Sequence, residues 1–237
     1  MENIAAQTLG NIVAGNFKAA SVFEKYQLDF CCGGKHTLAK ACADKNIDLL
    51  AVANELNSIE AGRPTVMPFN QMSPSELIGY ILIHHHFYVK QMMPQILQHL
   101  EKVATKHGDR YPCMKNVFNI FRQVNTEMLH HMQKEEQILF PMIKAAAEAT
   151  GANANAQKEK IAMIIGVMET EHESAGGSME AIRTLTNNYE PPFDACNTFR
   201  VSLAELKDFE EDLHKHVHLE NNILFPEAVV AVAECAF

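Results

Sequence analysis

One repeat constrains this chain more than any other feature. Residues 131–141 read His-Met-Gln-Lys-Glu-Glu-Gln-Ile-Leu-Phe-Pro, and residues 216–226 read His-Val-His-Leu-Glu-Asn-Asn-Ile-Leu-Phe-Pro. The His, the Glu, the Ile-Leu-Phe run and the Pro recur at an offset of 85 (216 minus 131), and His86 recurs as His172 at 86. A duplicated helical hairpin is the simplest chain that gives such a pattern. It would have a near two-fold axis, with equivalent residues meeting across it.

The helical signals agree with that reading. Ser73-Pro74-Ser75-Glu76 supplies an N-cap, a Pro at the first helical position and a Glu at the third, a strong start signal. The first long helix is expected from there to about Lys106. The second is expected from near Cys113 to Thr150, stopped by Gly151. The third is expected from about Gln157 to Leu185, ended by Asn187-Asn188 and Pro191-Pro192, and the fourth from about Asp194 to Ala233. Strand signals are nearly absent, and four long helices with short connections read as an up-down bundle. Before it, residues 1–58 read as a small domain of short helices broken at Ala14-Gly15-Asn16 and Cys32-Gly33-Gly34. Residues 59–72, with Gly62, Pro64 and Pro68, read as a linker, and 73–237 as the bundle. The expected class is all-α.

The repeat carries chemistry. His and Glu at i and i+4 lie one turn apart on a helix, about 5–6 Å between Cβ atoms. They can present one nitrogen and one carboxylate to one point. His131 with Glu135 and His216 with Glu220, joined by His86 and His172, give four imidazoles and two carboxylates. That set suits two iron ions, each with two His, bridged by Glu135 and Glu220. Neutral imidazole with hard carboxylate fits iron better than thiolate-seeking metals. A single His would be an ordinary core residue. Two repeated His-x3-Glu pairs on core faces are not, because a buried carboxylate without partner or metal costs several kcal/mol.

The apolar stripes place these residues inward. The expected stripes are Leu82, His86, Val89, Met93 and Leu97; Val124, Met128, His131, Glu135, Ile138 and Met142; Ile165, Met168, His172, Ala175, Met179 and Ile182; and Leu213, His216, Leu219 or Glu220, and Ile223. His84, His85, His130, His214 and His218 fall off the stripes and read as solvated or supporting residues, with His85 an alternative to His86. A rival pattern, Glu-x-x-His, occurs at Glu127/His130, Glu169/His172 and Glu211/His214, but it does not follow the repeat offset. Glu127, one turn before His131, and Glu171, beside His172, read either as a solvated face or as an acidic lining for a path to the metal.

Net charge excludes some partners. At -9 the chain is a poor match for nucleic-acid phosphates or an anionic membrane. No apolar run approaches the ~18 residues of a membrane span. Residues up to Gly15 have no basic n-region, and Glu2, Asn3, Gln7 and Asn11 interrupt the apolar residues. A cytosolic protein is expected, and its six Cys are expected as thiols.

With these residues in place the bundle resembles the hemerythrin-like domain, in which His-x3-Glu motifs hold an oxo- or hydroxo-bridged di-iron centre. It departs from the oxygen-carrying members at Gly176, where those have a further His one turn after the ligand matching His172. The last carboxylate also follows His216 by four residues rather than five. One His fewer implies an open or water-filled coordination position, which favours reactivity or iron release over oxygen carriage. The N-terminal segment Phe23 to Lys35, containing Cys31-Cys32-Gly33-Gly34, resembles the signature of the repair-of-iron-centres (RIC) family. Lys134 to Met142, Glu171-His172-Glu173, Thr186-Asn187-Asn188 and Leu219-Glu220-Asn221-Asn222 match it too. The resemblance implies ligands at His86, His131, Glu135, His172, His216 and Glu220. It implies a cytosolic, stress-responsive di-iron protein, inferred to be a homodimer, that restores iron–sulfur clusters damaged by nitric oxide or oxidants. Three functions follow from it: iron donation to proteins with damaged clusters, nitric oxide reduction at the di-iron pair, and dioxygen binding.

Cys31-Cys32 in a glycine turn reads as a thiol or partner site, since glycines let the backbone bend and adjacent Cys do not readily form an unstrained disulfide. The alternative is a pair of small buried hydrophobes. Cys42, Cys113, Cys196 and Cys235 read as structural.

Overall fold

The computed structural model describes residues 2–60, 69–148 and 153–234. Residues 61–68 of the expected linker 59–72, the stop at Gly151, and Cys235 lie outside the described residues. Among the described residues there is no strand. The chain runs α1 (Glu2–Ala5), α2 (Leu9–Gly15), α3 (Ala19–Lys25), α4 (Leu38–Asp44), α5 (Leu49–Glu60), a short 3-10 turn at Phe69–Gln71, α6 (Pro74–Ile81), π1 (Leu82–His86), α7 (Phe87–His107), α8 (Cys113–Lys134), π2 (Glu135–Leu139), α9 (Phe140–Glu148), α10 (Asn153–Leu185), α11 (Asn197–Leu219), π3 (Glu220–Leu224) and α12 (Phe225–Glu234). The π elements are single wide turns inside otherwise α-helical rods. Each closes with an i→i−5 bond, from the Phe87, Phe140 and Phe225 amides to the Leu82, Glu135 and Glu220 carbonyls.

These residues form two compact units. One comprises 1–79, 143–162 and 214–237; the other comprises 80–142 and 163–213. In the first unit, Thr8 and Thr37 cap α2 and α4 by accepting from the Asn11 and Lys40 amides, both at 3.3 Å. Leu9, Val13, Phe23, Phe30, Leu38, Val52 and Leu56 build the core of its short helices. Ser73 and Glu76 form the expected capping box: the Ser73 amide donates to Glu76 Oε2 at 2.9 Å, and the Glu76 amide to Ser73 Oγ at 3.4 Å. In the second unit Val89, Met93, Ile96 and Leu100 of α7, Phe121 and Val124 of α8, Met168, Met179 and Ile182 of α10, and Leu203, Leu206 and Phe209 of α11 are all buried. Phe121 meets Phe209 edge-on at 5.3 Å between ring centroids. Asn187 and Asn188 end α10 with φ of 50° and 58°, a left-handed conformation that Asn tolerates.

Four long rods were expected and four occur among the described residues, but the π turns change which residues face inward. A π turn adds one residue to a helical turn and slips the following stripe by one position. After π2 the buried residues are Leu139, Phe140 and Ile143, while the expected Ile138 is 48% exposed and Met142 is half-buried. Past π1 the expected Val89 and Met93 are buried, and α7 then continues the buried stripe at Ile96 and Leu100 rather than Leu97; within π1 both His85 and His86 are buried. α10 has no π turn, and its expected stripe is buried throughout. The third rod begins earlier than expected, at Asn153, and the fourth later, at Asn197.

Proline explains two of the three π turns. Pro141 and Pro226 stand second in α9 and α12. In an uninterrupted helix each would lack its amide donor, and its ring would press on the carbonyl four residues back. A wide turn just before the Pro removes that conflict.

Candidate metal centre

Both π turns with a Pro begin on a repeat carboxylate. His131 closes α8 and Glu135 opens π2; His216 lies in the last turn of α11 and Glu220 opens π3. His86 ends π1. Each of these side chains, and His172 on α10, is at least 98% buried.

In the second unit four of the predicted residues converge. His86 Nε2 lies 3.4 Å from Glu135 Oε2, and His131 Nε2 lies 3.3 Å from the same oxygen. His172 Nε2 is 3.0 Å from His131 Nε2. In the first unit His216 Nε2 stands 3.1 Å from Glu220 Oε1, the same one-turn arrangement in the other copy of the repeat. The outer nitrogens decide what the inner ones present. His86 Nδ1 bonds Glu136 at 2.8 Å and His131 Nδ1 bonds Glu171 at 2.9 Å. A carboxylate partner puts the proton on Nδ1, which leaves the Nε2 lone pair pointing inward. Two lone pairs then face one carboxylate oxygen, an acceptor-to-acceptor contact that a cation between them would turn into attraction. The spacing fits. Ligand atoms about 2.1 Å from one first-row ion stand about 3.0–3.4 Å apart at angles from square to tetrahedral.

Lysines complete the outer layer. Lys90 donates to Glu136 at 2.6 Å, and Lys134 pairs with Glu171. Burial raises the Glu136 carboxyl, but hydrogen bonds from Lys90 and His86 outweigh it and hold the group below the usual carboxylate range. Glu171 behaves likewise: burial raises it, and Lys134 and His131 bring it down. Phe140 stacks on His86 at 5.7 Å, and an added Cβ at Gly176 would meet nothing within 4 Å.

Sequence reasoning singled out Glu127 and Glu171 together, and the structure separates them. Glu171 holds His131, whereas Glu127 accepts from Gln123 Nε2 (2.8 Å) along its own helix. Glu136 was not singled out as a site residue. Its signal was its place beside Glu135, which on a wide turn faces back to the first rod. Two histidines expected to be solvated or supporting are buried: His85, bonded to Asp212 at 3.0 Å, and His218, which faces the Phe30 carbonyl at 3.4 Å. His84 and His130 are exposed, and His214 pairs with Glu24 at 2.6 Å, so the rival Glu-x-x-His pattern gathers no common point at His130 or His214.

Cys31 is buried and Cys32 half-buried, their sulfurs 4.0 Å apart. The hydrogen bond to Cys32, burial and the Asp29 charge push the Cys31 thiol well above its ordinary range. The thiol loop is anchored to π3. Asn222, two residues after Glu220, donates Nδ2 to the Phe30 and Cys31 carbonyls at 3.3 and 2.9 Å. Gly34 is required there, since a Cβ would come within 2.7 Å of the Phe30 carbonyl. Of the other cysteines, Cys42 is buried and Cys113 half-buried. Cys196, expected to be structural, is exposed with Sγ 3.3 Å from His107 Nε2.

Comparison with known proteins agrees with this chemistry. Residues 77–228 match the model of the hemerythrin HHE cation binding domain, and residues 5–60 match ScdA_N, a domain of unknown function. Proteins named iron-sulfur cluster repair protein YtfE are similar over nearly the whole chain. Those of Yersinia pseudotuberculosis and Pectobacterium atrosepticum are 35% identical and that of Citrobacter koseri 36%, each over 94% of this chain and 96% of the relative. The all-α class read from the sequence therefore stands, as a hemerythrin domain preceded by a helical N-terminal region, with a buried His/Glu cluster that fits iron. The chain belongs to the family of iron–sulfur cluster repair proteins built on a hemerythrin HHE cation-binding domain.

Proposed function

We propose that this protein holds two iron ions on His86, His131, Glu135, His172, His216 and Glu220, and that it repairs iron–sulfur clusters damaged by oxidative or nitrosative stress by giving up iron. The repeat pairs His131–Glu135 with His216–Glu220, and the hemerythrin model spans both copies; these support one centre drawing on both. Glu135 and Glu220 are the carboxylates assigned as bridges, with an oxo or hydroxo group completing the pair. Bound there, iron would supply both the exchangeable cargo and the redox chemistry of the site.

The chain's own residues do the rest. Glu136 and Glu171 hold His86 and His131 with their lone pairs inward, and Lys90 and Lys134 keep those carboxylates charged. Burial keeps bulk water from the ligands. The space beside Gly176, one turn after His172, is where a further ligand is absent, which suits a centre that releases iron. The single observation that carries the reading is the approach of His86 Nε2 and His131 Nε2 to one buried Glu135 oxygen, at 3.4 and 3.3 Å. The partners we assign are iron–sulfur proteins with damaged clusters, and the small ligands nitric oxide and dioxygen, in the cytoplasm. Loading the protein with isotopically labelled iron and presenting it to an apo iron–sulfur protein tests the donor role. Label should appear in the rebuilt cluster faster than from free iron; transfer no better than the free-iron control would refute it.

A further inference from the structure

We propose a second metal site at Asp29, Cys31 and Cys32, which takes one thiophilic divalent cation of the zinc or ferrous class through two sulfurs and one carboxylate oxygen.

The three side chains offer ligand atoms that all lie within 4.8 Å of one another. Two sulfurs on one tetrahedral ion with bonds of about 2.3 Å stand about 3.8 Å apart, and a sulfur and an oxygen about 3.6 Å. Here Cys31 Sγ and Cys32 Sγ are 4.0 Å apart, and Cys31 Sγ is 3.2 Å from Asp29 Oδ1. The sulfurs are far from the ~2.05 Å of a disulfide, and residues adjacent in sequence do not close one without strain.

The backbone fixes this arrangement before any ion arrives. Asp29 Oδ1 accepts the Cys31 and Cys32 amides at 3.1 and 3.0 Å, so the carboxylate and both cysteines form one rigid turn. Gly33 is required for it: a Cβ would stand 2.9 Å from the Asp29 carbonyl and 3.1 Å from Oδ2. Asn222 clamps the Cys31 carbonyl from behind. Two thiolates with one carboxylate favour a borderline-soft ion over magnesium or calcium. Cys31 is buried, but Cys32 is half-buried and Asp29 exposed, so one side of the site faces solvent. Three protein ligands and an open fourth position describe an exchangeable site rather than a structural one.

Cobalt(II) is the probe. The reduced, metal-free full chain is titrated anaerobically, and the near-ultraviolet thiolate-to-cobalt charge-transfer band is followed. This band reads sulfur ligation alone, so the result is independent of any cobalt on the histidines and of whether the protein donates iron. The band should saturate within three equivalents, the most the two sites together would take, and vanish in the Cys31→Ser/Cys32→Ser double variant. In Asp29→Asn, cobalt affinity at this band should fall about 10–100-fold. Cys32→Ser, at the half-buried position, repeats the test with the least disturbance of packing, and circular dichroism checks that the helices remain. No thiolate band at saturating cobalt, or a band undiminished in Cys32→Ser, would overturn the site.

Discussion

Replacing Glu171 by Gln should weaken iron binding without touching any proposed ligand. The glutamine keeps a carbonyl oxygen for His131 Nδ1 but loses the charge that holds the imidazole proton there and the ion pair with Lys134. A hydrogen bond to a charged group contributes roughly 1.5–3 kcal/mol when buried. The Glu171 side chain is 36% exposed, so solvent screens it and the low end applies. Supporting carboxylates of this kind change metal affinity by about 10–100-fold. We therefore expect about tenfold, or about 1.4 kcal/mol, for Glu171→Gln. Glu136→Gln should cost as much or slightly more, because that side chain is 29% exposed. The two imidazoles meet the same Glu135 oxygen, so the double variant should depart from the product of the single effects. Competition for ferrous iron against a chelator gives the affinities. Glu127→Gln is the control, since its carboxylate engages Gln123 and not His131. Equal weakening by Glu127→Gln, or a Glu171→Gln affinity within about twofold of wild type, would refute the orienting role.

Three further outcomes follow from the geometry. Leu139→Ala should cost about 2–5 kcal/mol in urea unfolding and Ile138→Ala no more than about 0.5 kcal/mol, because π2 turns Leu139 inward and Ile138 outward; the reverse order would mean no wide turn. Gly176→Ala should stabilise the protein by up to about 1 kcal/mol in the same assay, since the helix gains propensity and the Cβ meets open space. In metal-free protein, burial holds the His218 imidazole down to about 4 from an ordinary 6.5. The unfolded chain takes up that proton first, so the contribution is complete above pH 6.5 and is lost as pH falls towards 4, at up to about 1.4 kcal/mol per unit. His218→Gln should lack that part of the acid loss, which denaturant midpoints across the window would show; parallel curves for the two proteins would count against a buried neutral imidazole.

The four rods were legible because each depends on local signals. A capping box at Ser73, Asn-Asn at the end of α10 and a period of 3.6 residues through α10 need no knowledge of the rest of the chain. The His-x3-Glu spacing was legible for the same reason: one helical turn sets it. What could not be read was the phase of each stripe beyond a ligand. A constant period carried past Glu135 sends Ile138 inward, and that expectation failed at the point where a wide turn intervenes. Glu136 was missed through the same error, since on a regular helix it would point away from His86. The cue was nonetheless present in both copies as the Ile-Leu-Phe-Pro run. A proline six residues after a buried Glu, in the middle of a long helix, is costly unless the turn before it widens. The repeat therefore duplicates a backbone irregularity together with its carboxylate. Glu135 and Glu220 each open a turn whose carbonyl bonds five residues ahead, so the residues assigned as bridges are set by the helix defect as much as by their spacing from His131 and His216.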